Sequence, residues 1–83
     1  MANDRTLYDK AVRLTEGYLG PAGERFLRRQ IETHLKIEPE NLKKKNLPIL
    51  INWSSIAFAL LTDNGEDIDG FTKDLKSLTQ NDH

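Results

Sequence analysis

LPILINWSSIAFALL, residues Leu47 to Leu61, carries eleven apolar side chains in fifteen positions. Periodicity places it on a helix, but its apolar residues do not fit one helical face. At about 100° per residue, Ile49, Trp53, Ile56 and Leu60 form one stripe, widened on one side by Leu50, Ala57 and Leu61. Leu47, Ile51 and Phe58 fall on roughly the opposite side. A helix that is apolar nearly all round must be central to its fold or shared with a partner. An 83-residue chain has little material with which to surround one helix. The stretch therefore points to association, with Leu47, Ile51 and Phe58 as the expected interaction surface, in a homodimer or with another protein. The competing reading is that neighbouring helices cover that side. Trp53 is expected to anchor the core, because an indole buries a large area. If the expected surface is right, Phe58→Asp leaves a folded monomer. Pro48, Asn52, Ser55 and Ala59 form a narrow stripe of small or polar groups, suited to close packing within the chain or across a dimer.

Working outward, the remaining chain also reads as helix, and no apolar/polar alternation runs long enough for a strand. The fold class expected is all-α: a small helical bundle of four main helices plus one short helix, in one domain over residues 1–83, with the apolar helix 47–61 at its centre. A first helix runs from Arg5 to Leu19, with Asn3 or Asp4 as N-cap and Leu7, Ala11, Leu14 and Tyr18 as its stripe. Gly20-Pro21 stops it, since Gly takes the left-handed conformation that ends a helix and Pro fits the first turn of the next. A second helix spans Pro21 to Leu35, with Phe26, Leu27, Ile31 and Leu35 inward. Pro39, Glu40 and Leu42 mark a short turn of helix. A last helix covers Glu66 to Leu78 on Ile68, Phe71, Leu75 and Leu78, its start favoured by the acidic residues from Asp63 to Asp67. Residues 79–83 are expected to fray.

Charge narrows the function classes. Twelve basic and thirteen acidic residues give a net charge of −1, which argues against an obligate polyanion binder. The distribution is uneven: residues 1–45 hold 10 Lys/Arg and 7 Asp/Glu, or +3, whereas residues 46–83 hold 2 and 6, or −4. The halves can attract each other within the fold or between chains. The absence of cysteine removes any disulfide framework and fits a cytoplasmic location. MANDRTLYDK has no apolar core behind its charges, so no secretory leader is expected, and the 47–61 run is short for a bilayer.

Each candidate site has a plainer reading beside it. Asp63 to Gly70 looks acidic enough for calcium, but neither glycine register places oxygen ligands as an EF-hand needs them, so an inter-helix turn with an acidic cap is preferred. Arg25, Arg28 and Arg29, with Lys43, Lys44 and Lys45 downstream, form a basic patch that could meet phosphate or nucleic acid. Its plainer reading is a solvated face, because Glu24 and Glu32 lie one turn either side of Arg28. The helix that would have to read DNA carries no Lys or Arg, which disfavours nucleic acid. His34 sits on the apolar-leaning side of its helix without a second histidine or a cysteine near it in sequence, so it reads as a boundary residue rather than a metal ligand. Ser54 and Ser55 lack the strained turn and paired base of a serine nucleophile. No catalytic, metal or cofactor motif is present, and the expected class is a non-enzymatic protein-interaction or regulatory module. A phosphate- or nucleic-acid-binding module is the alternative.

Tyr18-Leu19-Gly20-Pro21-Ala22, followed by Phe26-Leu27-Arg28-Arg29, resembles the opening of a small helical domain appended to bacterial serine/threonine kinases and other signalling proteins. The likeness covers residues 18–29. It implies a non-catalytic regulatory or scaffolding module in bacterial signalling. The apolar helix 47–61 departs from that pattern, and no binding residue is carried over.

Overall fold

The computed structural model describes residues 5–80, and within them the chain is all-α, with no strand. Helix α1 spans Arg5–Leu19, α2 Gly23–Gln30, α3 Leu47–Ala59 and α4 Gly65–Gln80. The expected caps Asn3 and Asp4 and the tail residues 81–83 lie outside the described residues, whereas Thr79 and Gln80 continue α4 rather than fray.

The breaks follow local chemistry. Gly20 takes φ +69° at the end of α1, and Pro21 sits in the 3-10 turn Gly20–Ala22 that leads into α2. The second helix is less regular than its sequence pattern: α2 passes into a π turn over Ile31–Leu35, closed by Lys36 in the left-handed region at φ 56°. Two further 3-10 turns, Pro39–Asn41 and Lys44–Asn46, carry the chain to α3. The second is tied at its start by Lys43 N–H donating to Asn46 Oδ1 at 2.9 Å. Asn64 caps α4, its Oδ1 accepting from the N–H groups of Glu66 and Asp67 at 3.0 and 3.3 Å. Asn64 of this loop thus spends its side-chain oxygen on a helix cap.

Helix α1 packs on α2 and α4, and α3 packs on α4, on α2 and on the π turn. Gly23 permits the α1–α2 approach: a Cβ there would lie 2.7 Å from the backbone nitrogen of Glu16. An aromatic cluster joins the elements, with Phe71 of α4 against Phe58 of α3 (4.7 Å between centroids), Tyr18 of α1 (5.5 Å) and Phe26 of α2 (6.4 Å). Such edge-on and tilted pairs add to the burial of the rings themselves. Leu27, Ile31, Leu42, Leu47, Leu50 and Leu75 complete a core without solvent exposure.

The orientation of α3 corrects the expectation from sequence. Leu47, Ile51 and Phe58, expected as an interaction surface, are only 0, 7 and 2% exposed and belong to the core. The physical reason is the aromatic cluster, in which Tyr18 and Phe71 close over Phe58. The Phe58→Asp expectation reverses accordingly. Trp53, expected in the core, is 39% exposed. Nor is α3 enclosed by its neighbours: one of its two apolar stripes faces inward and the other faces solvent.

Candidate interaction surface

The outward stripe of α3 consists of Ile49, Trp53, Ile56 and Leu60, exposed by 49, 39, 49 and 83%, with Leu61 beside its end at 61%. All the large hydrophobics exposed among the described residues lie within this one stretch. Leu60 remains helical in backbone conformation, and its N–H still donates to the Ala57 carbonyl at 3.1 Å, so the stripe runs through the helix end. No charged residue occurs between Asn46 and Thr62. The face is flanked by Asn52, Ala57 and Ala59, which are too short to shield it.

A side chain from outside α3 lies on this face. The imidazole of His34, in the π turn, stacks on the Trp53 indole with centroids 4.0 Å apart and planes 2° from parallel. The stack fixes Trp53 at one edge of the stripe and gives its ring a partner without burying it. It also assigns His34 a role that sequence spacing could not show, since nineteen positions separate the two rings.

The edge of α3 nearest α4 is already occupied. The hydroxyls of Ser55 and Thr72 bond each other at 2.7 Å, and Thr72 also donates to the Ile68 carbonyl. Pro48, Asn52 and Ser55 border a shallow groove against Thr72, Lys76 and Thr79, of about 420 Å3. Ser54 is fully buried, and its Oγ has no hydrogen-bond partner among the described residues.

The basic residues separate into two places. Arg25, Arg28 and Arg29 line one shallow groove on α2 together with Glu32 and Thr33. Lys43, Lys44 and Lys45 are exposed on the connection into α3 and do not line that groove. Arg28 is engaged: its guanidinium reaches Glu24 Oε2 at 3.5 Å, and the same oxygen accepts the Tyr8 hydroxyl of α1 at 3.1 Å. Burial raises the Tyr8 phenol above its ordinary value, and the neighbouring Glu24 carboxylate adds to that rise while Arg28 opposes it. Across the fold, the Tyr18 hydroxyl donates to Asp74 Oδ2 at 2.7 Å, and that bond, with some burial, pushes Tyr18 up to about 12. Gly70 makes room for this contact, because a Cβ there would sit 2.8 Å from the Tyr18 oxygen.

Among the described residues, no three His, Asp or Glu side chains converge to hold a metal ion, and no helix is long and apolar enough to cross a membrane. No protein-family model, curated protein or solved structure matches this chain. The outward stripe of α3 must be understood from its own chemistry.

Proposed function

We propose that this chain is a non-catalytic protein–protein interaction module, self-associating and cytoplasmic, serving as a regulatory or scaffolding element in bacterial signalling. Its working surface is the outward stripe of α3, in place of the Leu47, Ile51 and Phe58 side read from sequence. The observation that carries this reading is the concentration of Ile49, Trp53, Ile56, Leu60 and Leu61 on one uncharged helix face. Monomers seldom expose a contiguous apolar patch of more than a few hundred Å2 unless it binds something. Helix-in-groove recognition needs apolar anchors at this spacing.

The phosphate- or nucleic-acid alternative rests on Arg25, Arg28, Arg29 and Lys43 to Lys45. It is weakened where Glu24 engages Arg28 and Glu32 lines the same groove. The test places a photoreactive benzoylphenylalanine at Ile56, and at exposed Arg13 of α1 as control, in the full chain in its native cells. Covalent protein adducts from position 56 and none from position 13 are expected. Adducts from neither, or equally from both, would remove the reading.

A further inference from the structure

The spacing of the outward stripe, together with the charges at its two ends, identifies what can cover it. Ile49, Trp53, Ile56 and Leu60 are separated by four, three and four positions, the alternation of a coiled-coil seam. That pattern fits a helix crossing at a shallow angle of about 20°. The pattern is symmetric about the point midway between Trp53 and Ile56. Turned end for end, it superimposes on itself: Ile49 takes the place of Leu60, and Trp53 that of Ile56. A surface with that property can meet its own copy across a two-fold axis with each seam residue facing its symmetry mate.

The flanking charges choose the direction. Lys43, Lys44 and Lys45 precede α3, and Asp63, Glu66 and Asp67 follow it, all of them exposed. Two copies side by side in parallel would set lysines against lysines and acids against acids. In the antiparallel arrangement, the symmetry that pairs position 49 with 60 pairs 45 with 64, so Lys45, in the 3-10 turn just before α3, comes next to the loop residues Asp63 and Asn64 just after it. Lys45 of each copy then meets Asp63 of the other, twice per dimer. Between those ends neither helix carries a charge, so the seam itself imposes no like-charge penalty. Asn52, Ala57 and Ala59 beside the seam are short, and His34, stacked on Trp53, is the larger side chain that borders it at one edge.

The area is in proportion. The five exposed hydrophobics leave roughly 500 Å2 of mostly apolar surface, near the upper limit for a patch on a monomer. A standard interface takes about 800 Å2 from each partner. With the flanking residues added, the face suits a dimer at the smaller, reversible end of that range.

We infer that the outward stripe of α3 is an antiparallel self-association seam, in which α3 of a second copy packs Ile49, Trp53, Ile56 and Leu60 against their symmetry mates while Lys45 and Asp63 pair across both ends. This rests on the interaction-module reading and names its partner.

The test measures the dissociation constant of the full chain by sedimentation at about 50 mM salt, with circular dichroism as the check on folding. The wild type is expected to pass from monomer to dimer as concentration rises through the micromolar range. Ile56→Asp is expected to remain a helical monomer. Lys45→Glu and Asp63→Lys are each expected to weaken the dimer threefold or more, by about 0.6 kcal/mol or more. Lys45→Glu combined with Asp63→Lys in one chain is expected to return to within about twofold of wild type, because both end pairs are restored with their signs exchanged. A parallel dimer would show no such rescue, and that result would overturn the inference even if Ile56→Asp failed to fold. A wild-type monomer at every concentration overturns it too. If position 56 still captures another protein in cells, the interaction-module reading survives that failure without its self-association. If it captures none, both fall together.

Discussion

Helices α2 and α3 each turn one face to solvent, and the two faces differ in kind. The outer face of α2 carries Arg25, Arg28 and Arg29, with Glu32 of the π turn beside them, a surface that water and the neighbouring Glu24 satisfy. The outer face of α3 carries no charge and leaves Trp53, Ile49, Ile56 and Leu60 in contact with solvent. The inner faces of both helices feed one core through Leu27 of α2 and Leu50 and Phe58 of α3, with Ile31 of the π turn beside them. Burial within the chain therefore accounts for all of α2 and for only half of α3. The remaining half of α3 has the composition of a second core that this chain alone does not close.

The strongest way to break that comparison is to place a charge on each side of α3. Phe58→Asp puts a carboxylate into the aromatic cluster and is expected to cost on the order of 4 kcal/mol or more, a large fraction of a small domain's stability. Ile56→Asp, two positions away on the outer face, is expected to change the stability of the isolated chain by less than about 1 kcal/mol. Chemical denaturation of the two variants at a concentration where the chain is monomeric reads the contrast directly. Equal losses would mean that the two faces of α3 are not different environments.

Gly23→Ala probes how the charged face of α2 is held in place. The added methyl meets the backbone of Glu16, which cannot yield as a side chain would, and a loss of about 1–3 kcal/mol is expected. A neutral result in the same denaturation experiment would show that α1 and α2 can separate freely.

The Tyr18–Asp74 bond sharpens the comparison by testing the packing of α1 on α4, which closes over the inner face of α3. The folded-state value of Tyr18 is about 12 against an ordinary 10.0, so the neutral phenol is favoured by folding. Its contribution is fully present below pH 10.0 and is lost as pH rises towards about 12. Stability measured across that window is expected to fall more for wild type than for Tyr18→Phe. Parallel curves would show that the bond does not form in solution.

The smallest effect belongs to Lys36, which closes the π turn carrying His34 at φ 56°. Lys36→Gly removes the strain of a side chain in the left-handed region and is expected to stabilise the fold by about 0.5–1 kcal/mol. Destabilisation would mean that the lysine stem contributes packing that outweighs the strain.

Much of this arrangement was legible in the sequence, and the part that was not has a definite cause. The Gly20-Pro21 break, the start of α3 at Leu47-Pro48 and the inward residues of the second and last helices each rest on a single dominant apolar stripe or on turn chemistry. On α1 the stripe of Leu7, Ala11, Leu14 and Tyr18 is buried fully only at Ala11, and the structure also buries Tyr8, Val12 and Thr15, which that stripe omits. Helix α3 offers two stripes of similar weight, and periodicity cannot say which one faces inward. That choice is made by side chains distant in sequence: Tyr18 and Phe71 receive Phe58, and the core closes on Leu47 and Ile51. The size of the indole alone points Trp53 inward, and the structure leaves it and its stripe outside. The π turn over Ile31–Leu35 and the His34–Trp53 stack were also hidden, because both depend on how α2 meets α3. The symmetry of the outer stripe, by contrast, is written in the spacing of four residues, and it acquires meaning once they are known to face solvent.

The central claim, that the outer face of α3 is closed by another chain, is tested most directly through Trp53, the only tryptophan in the protein. Its emission maximum can be followed from about 1 to 200 µM for the wild type and for Ile56→Asp, alongside the mass from light scattering, a range that brackets a small, reversible interface. A shift to shorter wavelength with rising mass in the wild type, absent from Ile56→Asp, is the result expected. Identical spectra and a monomer mass for both proteins throughout that range would contradict self-closure of the face.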